Sequence, residues 1–174
     1  MGQVKIAPKV QLICAVCCRD EESSVQACER LTQLCGPISS RTKPFAFIHT
    51  RYYQKEMGDR LQKFFCAFSR SVDPMQIVGI KLATNRIEEE LAWEGRRRVN
   101  LDPGYIEAAK LVLATTKNFG HRIYLGQGIY GDVQLFWREG RFQSNPWTYP
   151  DYLEAKSLEF FSALRQDYLK EGKH

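Results

Sequence analysis

The longest uninterrupted apolar stretch in the chain, Leu12–Cys18, is seven residues. That is far short of the roughly 20 residues a membrane-crossing helix needs, and it is the length of a strand buried on both faces. Lys9–Cys18 therefore reads as a buried first strand, bounded by Pro8 and by the acidic turn Asp20-Glu21-Glu22. With 174 residues the chain has the size of one domain. It can bury roughly 70% of its unfolded surface, enough to stand without disulfides or metal. A composition 44% hydrophobic and 26% charged excludes a disordered or low-complexity protein.

The same stretch contains Cys14, Cys17 and Cys18, a C-x-x-C-C string. A zinc knuckle needs a tight turn between its thiolates, and no Gly or Pro interrupts this run. On a strand, Cys14 and Cys17 also point to opposite faces. Cys28, Cys35 and Cys66 have apolar neighbours, and all six cysteines read as small buried hydrophobes. No secretory leader is evident at Met1, so the expected location is the cytoplasm, where thiols stay reduced.

Strand and helix signals then alternate. Ser23 or Ser24 caps a helix with Val25, Cys28, Leu31, Leu34 and Cys35 inward, stopped by Gly36-Pro37. Pro44–Tyr53 and Leu61–Phe68 read as strands joined by a hairpin turn at Met57-Gly58-Asp59, although the second also has helical spacing. Asp73-Pro74 opens a helix whose seam is Ile77, Ile80, Thr84, Ile87 and Leu91, ending before Gly95. Arg98–Asp102 is a short strand stopped by the turn Asp102-Pro103-Gly104, and Tyr105–Thr116 follows as a helix.

His121–Leu125, Ile129–Trp137 and Arg141–Gln143 form a meander. Pro150-Asp151 opens a last helix with Leu158, Phe161, Leu164 and Tyr168 inward. The order strand, helix, strand, strand, helix, strand is that of a ferredoxin-like split βαβ core. A single α+β domain spanning residues 1–174 is expected, its core extended by the antiparallel meander and the C-terminal helix.

Familiar catalytic strings are missing. Leu125–Val133 imitates the glycine-rich loop of protein kinases, but no catalytic-loop HRD or DFG string follows, and Val78-Gly79-Ile80-Lys81 precedes it on a predicted helix. Glycines accommodating a bulged hairpin are the simpler reading. There is no G-x-x-x-x-G-K-[ST] loop, no G-x-S-x-G and no H-E-x-x-H. Only His49 and His121 lie within the folded region, which excludes a multi-histidine metal site; carboxylates and carbonyls holding magnesium stay open.

The polar residues that ask for an explanation are few. Lys81, Asn85 and Glu88 form one helical stripe beside the apolar seam. Asn100 and Asp102 share one face of a strand, and Gly104 leads into a predicted helix start suited to an anion. Thr116 and Lys117 end that helix, and His121 and Arg122 begin the next strand. Each also has a plain structural explanation: a solvated stripe, an Asx-turn, a lysine complementing a helix dipole. Taken as one cleft, they suggest Asp102, Glu88 and His121 as catalytic groups. Lys81, Asn85, Asn100, Gly104, Thr116, Lys117 and Arg122 would bind the ligand. The triplet Arg96-Arg97-Arg98 reads as a solvated turn, and Asn145–Tyr152 either as a stacking platform or as a rigid loop packed under the last helix.

Several ordered strings are shared with one family: Pro44-Phe45 through Tyr52-Tyr53, Glu56-Met57-Gly58, Thr84-Asn85-Arg86-Ile87-Glu88, Val99 to Tyr105, Leu113 to Lys117, His121 to Leu125 and Trp147 to Tyr152. The chain resembles the prokaryotic family catalogued as domain of unknown function 4416 over nearly its whole length. That resemblance implies a one-domain prokaryotic protein and transfers no catalytic residue. A GTP-binding label attached to some members has no counterpart here, since both a phosphate loop and an N-K-x-D string are absent.

Three functions follow as expectations. The first is binding of a small phosphorylated molecule or nucleotide, extending to a magnesium-assisted hydrolase or transferase. The second, less favoured at a net charge of only +5, is an RNA-binding module. The third is a non-enzymatic adaptor. No membrane partner is expected, and the oligomeric state is left open.

Overall fold

The computed structural model describes residues 2–49 and 54–172. Among them, nine strands form one antiparallel sheet: β1 (Val10–Cys18), β2 (Ile38–Arg41), β3 (Phe45–Ala46), β4 (Gln62–Val72), β5 (Val99–Ile106), β6 (Lys110–Thr115), β7 (Ile123–Gly126), β8 (Ile129–Arg138) and β9 (Arg141–Ser144). Neighbours run β2-β4-β1-β5-β6-β8-β7, with β3 also on β4 and β9 also on β8. The described helices are α1 (Glu21–Cys35), α2 (Gln54–Met57), α3 (Ile77–Glu90) and α4 (Ala155–Lys170), with short 3-10 turns at Pro74–Gln76 and Pro150–Leu153. None of them is long and apolar enough to cross a membrane.

β1 is buried along its whole length because both faces of the sheet are covered. Leu12, Cys14, Val16 and Cys18 meet Ala27, Leu31 and Cys35 of α1 and Ile77, Val78 and Ile87 of α3. Ile13 and Ala15 face the other way, toward Phe65, Tyr152 and Phe161 beneath α4. The two-residue side-chain period of a strand thus divides one apolar run between two cores. Cys14 lies in the first core and Cys17 beside Met57 and Leu61 on the opposite face. Burial pushes the Cys17 thiol up to about 12, which removes it as a nucleophile at neutral pH.

Several sequence expectations are corrected. α1 is capped by Asp20, whose carboxylate accepts from Ser23 N at 2.8 Å, while Ser23 is the reciprocal partner of that capping box. Val25 is exposed, and Ser23 and Ala27 take the inner face. Among the described residues of Pro44–Tyr53 only Phe45–Ala46 pairs as a strand, and residues 50–53, with Tyr52-Tyr53, lie outside the described residues. Met57 ends the short helix α2 and Gly58-Asp59 follow it rather than turning a tight hairpin, and the polar edge strand β2 carries no pattern that would have announced it. The Leu61–Phe68 segment is a strand and runs on to Val72.

The largest correction is Tyr105–Thr116. It is a hairpin, β5 into β6, with Glu107 N donating to Lys110 O at 3.0 Å. Asp102-Pro103-Gly104 is therefore the middle of a strand, no helix starts there, and Thr115 ends a strand. Gly104 is required by packing. A Cβ there would lie 2.3 Å from Val112 O and 2.8 Å from Leu113 Cδ2. The β5–β6 ladder pairs residues 104–106 with 111–113 and stops. In an antiparallel pair the bonded residues alternate, so from Glu107 the partner-facing positions are Tyr105, Pro103 and Leu101. Proline has no N–H for the next bond, and beyond it β5 and β6 diverge.

Candidate functional site

The opening between β5 and β6 is the entrance to a cavity of about 900 Å³. α3 closes it on one side. Leu101, left without a strand partner on that edge, donates its N–H to Glu88 Oε1 at 2.6 Å, and its carbonyl accepts from Lys81 Nζ at 2.8 Å. Two side chains two turns apart on the buried face of α3 thus take the place of the missing strand, satisfying a buried peptide group. Lys81 Nζ also reaches Asp102 Oδ1 at 3.1 Å, and Asn100 Nδ2 donates to Asp102 Oδ2 at 2.7 Å. Arg97 Nη1 donates to Asn100 Oδ1 at 3.0 Å and stands 3.5 Å from Glu88 Oε2, while its Nε is 3.5 Å from Glu56 Oε2.

This network sets the protonation states. Burial opposes the charge on Asp102, but the neighbouring Lys81 and Lys63 cations outweigh it, helped by the hydrogen bonds from Lys81 and Asn100, and hold the carboxyl below its ordinary value. Burial likewise opposes the charge on Lys81, yet Asp102 and Glu88 carry it above the usual lysine range. For Glu88 burial wins. Its carboxyl is raised to about 7 against the pull of Lys81, with the Asp102 charge pushing the same way.

On the α4 side, Lys63 Nζ pairs with Asp151 Oδ2 at 2.6 Å, both side chains nearly inaccessible. Its ammonium lies 4.9 Å from the ring centroid of Phe47 and 5.2 Å from that of Tyr152. At the β8 end, Asp132 is 1% exposed. Its Oδ2 accepts from Arg122 Nε at 2.7 Å and stands 3.5 Å from His121 Nε2. Arg122 continues to Lys117 O at 2.9 Å and Tyr149 OH at 3.0 Å, and its guanidinium lies 4.6 Å from the Phe119 centroid. The Asn145–Tyr152 segment is tied down by Trp147 Nε1 and Asn145 Nδ2, which both donate to Val133 O, and by Tyr149 N on Gln134 Oε1.

Of the residues singled out in the sequence, Lys81, Asn85, Glu88, Asn100, Asp102, Thr116 and Lys117 all line this one cavity. Three do not. Gly104 is packed inside the β5–β6 hairpin; Arg122 spends its guanidinium on Asp132, Lys117 O and Tyr149; and His121 is stacked against Trp147 with centroids 4.5 Å apart. Sequence reasoning missed Lys63, Arg97, Asp132, Tyr149 and Asp151, which also line it. A signal existed for Lys63 and Asp132: each is a charge at an inward position of a strand, beside the apolar residues Phe64-Phe65 and Val133 respectively. Arg97 had none, being hidden in a triplet that reads as solvated.

Among the described residues the lining carries six carboxylates against four lysine and arginine side chains. No three His, Cys, Asp or Glu side chains among the described residues are grouped to hold a metal ion. The Gly126-Gln127-Gly128 loop is a tight hairpin with all three residues at positive φ, and the kinase-like lysine, Lys81, lies on α3.

An antiparallel α+β sheet opened between two strands, with charged pairs in the opening, is thus the class of protein the chain forms. The family described as domain of unknown function (DUF4416) matches residues 8–168, and the chain belongs to it. No curated protein and no solved structure matches the chain.

Proposed function

We propose that the cavity between β5 and β6 binds a small phosphorylated molecule of nucleotide size. The observation that carries this reading is the convergence of seven separately identified polar residues, from α3, β5 and the end of β6, on one hollow. Its volume falls within the roughly 300–1,000 Å³ of small-molecule sites. Arg97 is the cation best suited to the anion: it makes a single short bond, to Asn100, and both its carboxylate contacts are long. Lys117 stands across the opening on the β6 side. On this reading Asp102, with both oxygens engaged, fixes Lys81 and Asn100. Glu88, raised to about 7, is the proton carrier of a hydrolase or transferase.

Coverage of both faces of the sheet speaks against RNA, because aromatics displayed to a single strand need an open face. The strand order β2-β4-β1-β5 with α1 and α3 on one face supports a ferredoxin-like core within a single domain. Six free thiols fit a reducing compartment.

The test is thermal unfolding with ATP, GTP, ribose 5-phosphate and pyrophosphate, with and without magnesium. A binder at saturation should raise Tm by about 5 °C or more, and Arg97→Ala should abolish the rise while the variant remains folded. A Tm unmoved by every compound refutes the reading and leaves the adaptor role.

A further inference from the structure

Resting on that reading of the cavity, we infer that its β8 end takes an aminated nucleobase, with an exocyclic N–H accepted by Asp132 Oδ1 and the ring laid against Phe119 and Tyr149. Asp132 lines the cavity at 1% exposure, yet only Oδ2 is engaged, by Arg122 Nε at 2.7 Å and by the more distant His121 Nε2 at 3.5 Å. Among the described residues no hydrogen-bond donor reaches Oδ1. A buried carboxylate oxygen without a donor is unfavourable, and an ionised carboxylate only accepts, so the group that completes it carries an N–H or O–H.

Charge selects the kind of donor. Arg122 already neutralises Asp132 within the fold, so Oδ1 calls for a neutral donor rather than a further full cation. An aromatic amine answers that description. Carbonyl oxygens flanking a ring N–H, as in uracil, would stand against the carboxylate instead.

Shape selects the body that bears the donor. Arg122 holds Tyr149 through the phenol oxygen at 3.0 Å, has Phe119 4.6 Å from its guanidinium and fixes the β6 end through Lys117 O. The two rings are thereby held beside the guanidinium that pairs with Asp132, with Phe119 also parallel to the His121 ring at 6.1 Å between centroids, and both keep substantial exposure, 54% for Phe119 and 39% for Tyr149, while lining the cavity. Partly exposed rings beside a buried acceptor suit a flat heterocycle, whose faces stack while its edge donates.

The experiment is calorimetric titration of the full chain with AMP, CMP, GMP, UMP and ribose 5-phosphate. AMP, CMP and GMP are expected to bind about tenfold or more tighter than ribose 5-phosphate, and UMP to fall behind the aminated three. Asp132→Asn, which offers an amide donor where the acceptor stood, should bring UMP level with AMP. Because that variant also weakens the Arg122 pair, Phe119→Ala provides an independent measure. It should lower AMP affinity about tenfold and narrow the ratio of AMP to ribose 5-phosphate. Ribose 5-phosphate binding as tightly as the nucleotides overturns the base inference and keeps the phosphorylated-ligand reading. No binding by any of the five overturns both. A base preference unchanged in both variants overturns the assignment to Asp132.

Discussion

The two ends of the cavity treat their carboxylates differently. Toward α3 and β4 the carboxylates are tied to the elements that bound the opening: Asp102 through both oxygens to Lys81 and Asn100, Glu88 through Oε1 to Leu101 N, and Asp151 by its ion pair with Lys63. At the β8 end Asp132 is held by Arg122 through one oxygen and leaves the other open. The first arrangement stabilises a sheet that has come apart between two strands. On the inference above, the second is kept for recognition. One cavity thus contains carboxylates that brace its walls and, on the inference above, one that meets the ligand, and charge alone does not tell them apart.

That contrast can be broken most forcefully at Lys63. Lys63→Met leaves Asp151 buried and unpaired, which should cost roughly 3–5 kcal/mol in urea unfolding, while a double replacement of Lys63 and Asp151 by apolar residues should recover most of it. An equal loss in the double variant would mean that the pair is not the source. Gly104→Ala should follow at about 1–3 kcal/mol, since its Cβ meets Val112 O with no flexible neighbour to give way. A neutral result would show that the ladder end is looser than described.

The pH dependence sharpens the comparison next. Glu88 titrates at about 7 in the fold against an ordinary 4.5, so the fold prefers it protonated. Its contribution is complete below about 4.5 and is lost as pH rises through about 7, on the order of 3 kcal/mol. Glu88→Gln retains a side-chain oxygen for Leu101 N and should remove that decline in stability between pH 5 and 8. Asp102 works in the opposite sense: its lowered value gives stability above its ordinary 3.8 that disappears as pH falls through the folded value. The smallest effect is expected at Lys117, exposed at the end of β6. Lys117→Ala should change stability by less than about 0.5 kcal/mol and yet weaken the Tm rise produced by a phosphorylated ligand.

The parts of this molecule legible in the sequence were those with one dominant period. The α3 stripe of Lys81, Asn85 and Glu88 was found from helical spacing, and the cavity contains all three. The β5–β6 hairpin was misread because Glu107-Ala108-Ala109-Lys110 is rich in good helix formers and Leu111–Ala114 is apolar without alternation, as suits a strand buried on both faces. What decides it is remote: Arg165 Nε donates to Ala108 O and Trp137 N to Ala109 O, from residues 57 and 28 positions away. Asp132 and Arg122 were out of reach for a related reason. One was read only as part of a glycine loop and the other as a free cation, and their pairing exists only once β7 and β8 lie side by side.

Pro103 has a consequence for how the hollow meets a guest. Had the chain placed an ordinary residue there, position 103 would offer β6 one more N–H, and the hairpin could lengthen by that bond toward the space. A ring nitrogen with no hydrogen to offer withholds that bond whether the space is filled or empty. The void is written into covalent chemistry rather than held by whatever occupies it, so entry demands little rearrangement of the host, and association should be governed by diffusion and desolvation more than by a preceding conformational step.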